Sequence, residues 1–371
     1  MPLAIDSLKT FISERLGDPD PIDIAGPTDP YHSTDYSSDG IVHKLQTANI
    51  GNGIDIVLMG DVFSDRMIAD GSYDKAMEEA MDAFFSEEPF KSYQDYFNVY
   101  SVDVVAPYEY HSYGNSAFSI YYGEDTFIGG DNDKVIEYTK KVIPEDRMDD
   151  ALVIVVINDS RYAGTCHMYQ FNEGDYGRGL TVSYVPFRPN FKKWFFPDVL
   201  CHESGGHGFA KLADEYSYSD YGAIPDSERE FIQFMAPNGW FKNIDFTSDP
   251  LSVKWAQFIS DYRYAAERIG VYEGGCGYQT GVWHPTLNSM MNDEGGFNAP
   301  SRYAIWYRIN KLAFGPEWNG TDEDFVEYDA VNRTPAANLI RLKRSSAAKK
   351  KALPPLAPPE IIKDGWRASK H

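Results

Sequence analysis

The chain has 371 residues, 43% hydrophobic and 15% aromatic, including 26 Tyr and 22 Phe. This is globular composition, enough for one large core with or without a small flanking unit, and it excludes a disordered chain. A formal charge of −22, from 56 acidic against 34 basic residues, repels nucleic acid and anionic membrane surfaces, and no run of about 18 apolar residues is present to span a bilayer.

Residues 1–50 are rich in Pro, Asp, Ser and Gly, which predicts a short helix in SLKTFISERL followed by an extended lead-in. IDIVLMGDVF (54–63) is a β-branched apolar run, hence a buried strand, and DKAMEEAMDAFF (74–85) has the 3.6-residue spacing of a helix. FNVYSVDVV (97–105) alternates as a second strand; KVIEYTKKVI (134–143) is helical and ALVIVVIND (151–159) a third strand. This alternation predicts an α/β layer with crossover connections. LTVSYVPF (180–187) reads as a further strand at an edge of the sheet, able to receive a peptide backbone by β-augmentation.

NFKKWFFPDVLCHESGGHGFAKLADEY (190–216) predicts the helix that carries the chemistry. Segment 217–250 reads as loops, 253–270 as a helix, 271–299 as loops and short strands, and SRYAIWYRINKLAF (301–314) as the last strong helix. The basic, Ala- and Pro-rich tail from 343 reads as an extended arm. The boundaries are therefore a lead-in over 1–50, a catalytic domain over 51–342 and an arm over 343–371. Residues 1–20 lack the basic-then-apolar layout of a signal peptide. Cys166, Cys201 and Cys276 are too few for a disulfide framework and form no Cys-x-x-Cys cluster; three buried thiols, or one bridge and one free thiol, remain open.

His202-Glu203-Ser204-Gly205-Gly206-His207 is the focus of the sequence. Peptide hydrolysis by zinc needs two neutral imidazoles on one helical face, and a carboxylate beside them to take the proton of a water the metal activates. His-Glu-x-x-His separates its histidines by about 40° around a regular helix, whereas a separation of five residues gives about 140° and points the rings apart. A π-bulge absorbs one extra residue, and Gly205-Gly206 offers the place for it. Two adjacent glycines cost a helix about 2 kcal/mol in propensity, which a purely structural helix has no reason to bear. A catalytic zinc keeps three protein ligands and one open position. Asp214, seven residues past His207, can supply the third; Glu215 is the alternative, or steadies a histidine from behind. His284 is the distant alternative ligand. His167 and His284 read as cleft or structural histidines, and Asp131-Asn132-Asp133 as a solvated turn, so that calcium has no support beyond carboxylates.

HESGGHGFAKLADEY resembles the zinc signature of the bacterial IgA-peptidase family of metallopeptidases, a metzincin-like group. The resemblance extends through GNGIDIVLMGDVFS (51–64), FNVYSVDVVAP (97–107), ALVIVVINDSRYAG (151–164) and HPTLNSMMNDEGGFNAPSRYAIWYRI (284–309), about residues 50–315 in all. It implies an α/β (α+β) zincin catalytic domain, with a mixed sheet and an active-site helix. It also implies one zinc ion, a carboxylate ligand at Asp214, and a methionine turn at Met291, with Met290 the alternative. Two departures stand out: the histidine spacing is one residue longer than the commonest form, and Ala210-Lys211 replaces the glycine that often turns the chain after the helix.

The expected activity is a zinc endopeptidase with Glu203 as general base, acting on proteins, glycoproteins or peptides, with no nucleic-acid partner. The alternative is an inactive family member that binds glycoprotein or peptide, and a non-haem iron oxygenase is disfavoured because the motif sits on a helix with a glutamate in the base position. The expected state is a monomer, secreted or held in the bacterial cell envelope, whose signal sequence is not in this chain.

Overall fold

The computed structural model describes residues 31–112, 114–187, 195–292, 295–340 and 353–367. The helix expected in 7–16 and the start of the helix expected from 190 lie outside them. Eleven strands are seen: β1 (Val42–Gln46), β2 (Ile54–Asp61), β3 (Phe97–Val102), β4 (Tyr121–Tyr122), β5 (Ile128–Gly129), β6 (Leu152–Ile157), β7 (Thr165–Tyr169), β8 (Thr181–Pro186), β9 (Tyr272–Gly275), β10 (Tyr278–His284) and β11 (Glu360–Ile362).

Seven of them form one mixed sheet in the order β1-β3-β2-β6-β8-β7-β11. The pairs β3–β2, β2–β6 and β6–β8 are parallel, while β1 and β7 join antiparallel. β2 and β6 are buried on both faces, as unbroken apolar runs require. Side chains alternate across a strand. Ile54, Ile56 and Leu58 of β2, with Leu152, Ile154 and Val156 of β6, accordingly enter one apolar cluster. Val57, Met59, Val153, Val155 and Ile157 enter the other.

The first cluster is closed by helix Ser72–Phe84 through Tyr73, Ala76, Met77, Ala80 and Phe84, by the helical stretch Phe196–Phe209 through Leu200, Cys201 and Phe209, and by helix Ala299–Phe314 through Ile305 and Ile309. Helix Asn132–Thr139 covers the opposite face with Val135 and Ile136. The result is an α+β architecture with helices on both faces of the sheet.

Several expectations change. The strand 180–187 is β8, which is not an edge: β6 and β7 hydrogen-bond to its two sides. It therefore cannot receive a substrate backbone, because its amides and carbonyls already have partners. Segment 217–250 contains a helix, Asp226–Met235, burying Ile232 and Met235. The helix expected over 253–270 is broken at Asp261, whose side chain accepts from the Arg263 amide and starts a separate 3₁₀ turn, Tyr262–Glu267. Strand β1 falls inside the expected lead-in, and the C-terminal arm returns to the sheet as β11, parallel to β7.

Candidate active site

The active-site helix begins as α-helix Phe196–Leu200 and continues as π-helix over Cys201–Phe209. The wider winding absorbs the fifth residue between the histidines, as the glycine pair suggested. A side chain at either glycine would crowd its neighbours. A Cβ at Gly206 would overlap the Met291 sulfur, and one at Gly205 would come within 2.9 Å of the Phe90 ring. The two β8 hydroxyls beneath the helix hydrogen-bond to it: Ser183 Oγ donates to the Glu203 carbonyl at 3.3 Å and Thr181 Oγ1 to the Gly208 carbonyl at 3.3 Å.

Both imidazoles are oriented from behind. His202 Nδ1 donates to the Met290 carbonyl at 2.8 Å, and His207 Nδ1 donates to the Leu212 carbonyl at 2.8 Å. Each ring therefore presents its Nε2 with a lone pair. The two Nε2 atoms lie 3.1 Å apart, and Asp214 Oδ1 lies 3.2 Å from each. All three residues are buried, and among the described residues they form the group of potential ligands that converges on one point. Ligand atoms about 2.1 Å from a tetrahedral ion stand about 3.4 Å from one another, close to the observed triangle. Burial pushes the Asp214 carboxyl up, but His207 and His202 outweigh it and bring it to about 2. The donor set is two imidazoles and one carboxylate oxygen, which suits zinc.

Glu203 is fully buried, and no side chain hydrogen-bonds its carboxylate among the described residues; the Cys166 backbone amide lies close enough to favour the charged form. Burial pushes its pKa to about 8; His202 opposes the shift and Asp214 adds to it. Gly164 makes room for it, since a Cβ there would come within 2.9 Å of the Glu203 side chain.

Glu215 is turned away from this cluster. Its carboxylate accepts from Asn243 at 2.9 Å, from Asn298 at 3.0 Å and from the Ser289 hydroxyl at 2.7 Å. It thereby ties the loop after the helix to the Met290-Met291 loop and to Asn298, which caps helix Ala299–Phe314. His284, on β10, is buried with Nδ1 3.8 Å from Glu215, and it is not in the converging group. Met291 lies under the helix against Gly206, and its carbonyl accepts from the Glu215 amide at 2.6 Å. Met290 contributes the carbonyl that orients His202.

The turn after the helix needs no glycine because Lys211 itself takes φ 54°. Its buried amino group donates to the Gly179 and Gly208 carbonyls at 2.8 Å each, which offsets the strain. His167 sits on β7, with Nε2 donating to the Ile128 carbonyl at 2.9 Å and Nδ1 3.0 Å from Glu360 of β11. Asp131 caps helix Asn132–Thr139 by accepting from the Lys134 amide, an ordinary helix-capping role. The three cysteines are free thiols.

A cleft of about 320 Å³ opens on His202, lined also by Tyr162, Val199, Tyr216, Met290 and Leu353–Leu356. Sequence reasoning gave no role to Tyr216, whose ring lies nearly parallel to His202 at 6.4 Å. Nor did it place 353–356 here, although its Pro-rich composition favours an extended, ligand-like strand.

The profile of the family described as IgA Peptidase M64 matches residues 42–263. No curated protein matches the chain.

Proposed function

The chain belongs to the IgA peptidase M64 family, a group of metallopeptidases, and from that premise we propose that it is a zinc-dependent endopeptidase acting on proteins or glycoproteins. His202, His207 and Asp214 would hold the ion and Glu203 would be the general base. The observation that carries this reading is the triangle of His202 Nε2, His207 Nε2 and Asp214 Oδ1 at 3.1–3.2 Å, with both Nδ1–H groups committed elsewhere. Two neutral imidazole lone pairs facing each other repel unless a cation lies between them.

An ion held by His202, His207 and Asp214 would supply Lewis-acid chemistry towards a peptide carbonyl and towards water. Glu203 follows His202 on the same helix and has no side-chain hydrogen-bond partner among the described residues, so its carboxylate is available to accept a proton. Burial alone would hold Glu203 protonated at neutral pH; a nearby cation opposes that shift and restores the basic form. The reading of the chain as an inactive binder rested on the extra residue between the histidines, and the π-helix gives that residue a place.

The test is removal of metal by chelation, followed by zinc add-back, with metal content and cleavage of a peptide library measured on the same sample. Cleavage should vanish on chelation and return with about one equivalent of zinc per chain. Cleavage unaffected by complete metal removal would overturn the proposal.

A further inference from the structure

The C-terminal segment 353–367 does not lie on an arbitrary part of the surface. Leu353–Leu356 forms one wall of the cleft that His202 lines. The Leu356 carbonyl accepts from two hydroxyls at once, Tyr216 at 2.6 Å and Tyr218 at 2.8 Å. The Leu356 side chain is buried in the same apolar cluster as Val199 and Met290. Further on, β11 pairs with the outer edge of β7 from His167 to Tyr169, and the Gln170 amide donates to the Ile362 carbonyl at 2.9 Å. Trp366 and Arg367 then fasten the end of the segment to Asp149, at 2.6 and 2.9 Å.

Each contact at the cleft is one that an extended peptide of another molecule would use. A strand edge reads main chain, and an apolar socket reads one side chain. Two phenol hydroxyls meeting on a backbone carbonyl beside His202 recognise a peptide bond whatever its sequence. β8 is paired on both sides, so β7 carries the outer edge on this side of the sheet, and it is this edge that β11 covers.

We propose that residues 353–362 are an intramolecular occupant of the peptidase's own substrate track. The chain restrains itself while this segment is seated, and the track takes extended peptides that place an aliphatic residue, preceded by proline, in the Leu356 socket. The inference rests on the peptidase reading. A tethered segment competes at an effective concentration of about 1 mM, so a segment with a free-peptide Kd of about 0.1 mM fills its site roughly ten to one. Substrate then meets an open track about one-tenth of the time.

The experiment uses the full chain and two variants that loosen opposite ends of the segment: Leu356→Asp at the socket, and Trp366→Ala/Arg367→Ala at the distal anchor. Thermal melting confirms folding, and a folding defect in one leaves the other informative. In a Glu203→Gln background, a fluorescent synthetic peptide of residues 353–367 should bind the loosened chains at least about 10-fold more tightly than the parent. In the Glu203 background, loosening should lower KM for peptide substrates by about 10-fold with kcat little changed, and the free peptide should inhibit competitively. Equal peptide binding by the parent and the folded variants, or no binding by any of them, would overturn the proposal. If peptide binding follows the expected pattern but no chain hydrolyses peptides, the occupancy stands and the catalytic reading fails.

Discussion

Two buried polar clusters on neighbouring helices treat charge in opposite ways. Arg302, on helix Ala299–Phe314, is buried with every part of its guanidinium engaged: Asp329 at 2.7 Å on Nε and on Nη2, Glu267 at 2.7 Å, and the Phe297 carbonyl at 2.6 Å. Its pKa stays well above the ordinary value because Asp329 and Glu267 outweigh the cost of burial. The helix that carries His202 buries Glu203 with no side-chain partner among the described residues, and it sets two imidazole lone pairs and a carboxylate oxygen against one another. A cluster that holds the fold together closes its hydrogen bonds. A cluster with its donors and acceptors left open is built for something that is not part of the polypeptide.

The largest expected effect tests the open cluster. Glu203→Gln keeps the shape but cannot take a proton, so kcat should fall by about 10³-fold or more while zinc content is unchanged. Peptide hydrolysis and metal content measured together decide it; retained turnover would remove Glu203 from its role. Asp214→Ala should weaken zinc binding by more than about 100-fold, whereas Glu215→Ala, which disturbs only the support behind the site, should weaken it by about 10- to 100-fold. A competitive zinc titration ranks the two. Should His284→Ala empty the site while Asp214→Ala leaves it filled, the third ligand is misassigned.

The closed cluster should respond the other way. Arg302→Met strands two buried carboxylates and should cost about 3–5 kcal/mol by chemical denaturation. Zinc content of the folded fraction should not change, because no Arg302 partner belongs to the metal triangle. The smallest effect is steric. Gly206→Ala should destabilise by about 1–3 kcal/mol through overlap with Met291, and Met291→Ala should recover part of the loss in the double variant.

The parallel core was legible because β2 and β6 are unbroken β-branched runs, and the helices around it because their apolar spacing is regular. The departure from α-helix at Gly205-Gly206 was legible from spacing alone. Other parts depend on partners distant in the chain. β7 is five residues long and takes its place only through β8 on one side and β11, almost two hundred residues later, on the other. LTVSYVPF could not reveal that both its edges are paired, nor could the tail reveal that Tyr216 and Tyr218 hold its carbonyl. Asp214 and Glu215 are adjacent acids, and the difference between them lies in Asn243, Ser289 and Asn298, contributed by separate loops. Lys211 stands where a glycine is expected, yet the carbonyls that hold its side chain in the left-handed turn come from Gly179 and Gly208.

The most direct test of the central claim is anomalous scattering from crystals of the full chain grown with zinc, measured on both sides of the zinc absorption edge. One strong peak is expected about 2.0–2.2 Å from His202 Nε2, His207 Nε2 and an Asp214 carboxylate oxygen. A peak seated instead on His284 and Glu215, or no ordered zinc at the triangle, would contradict it.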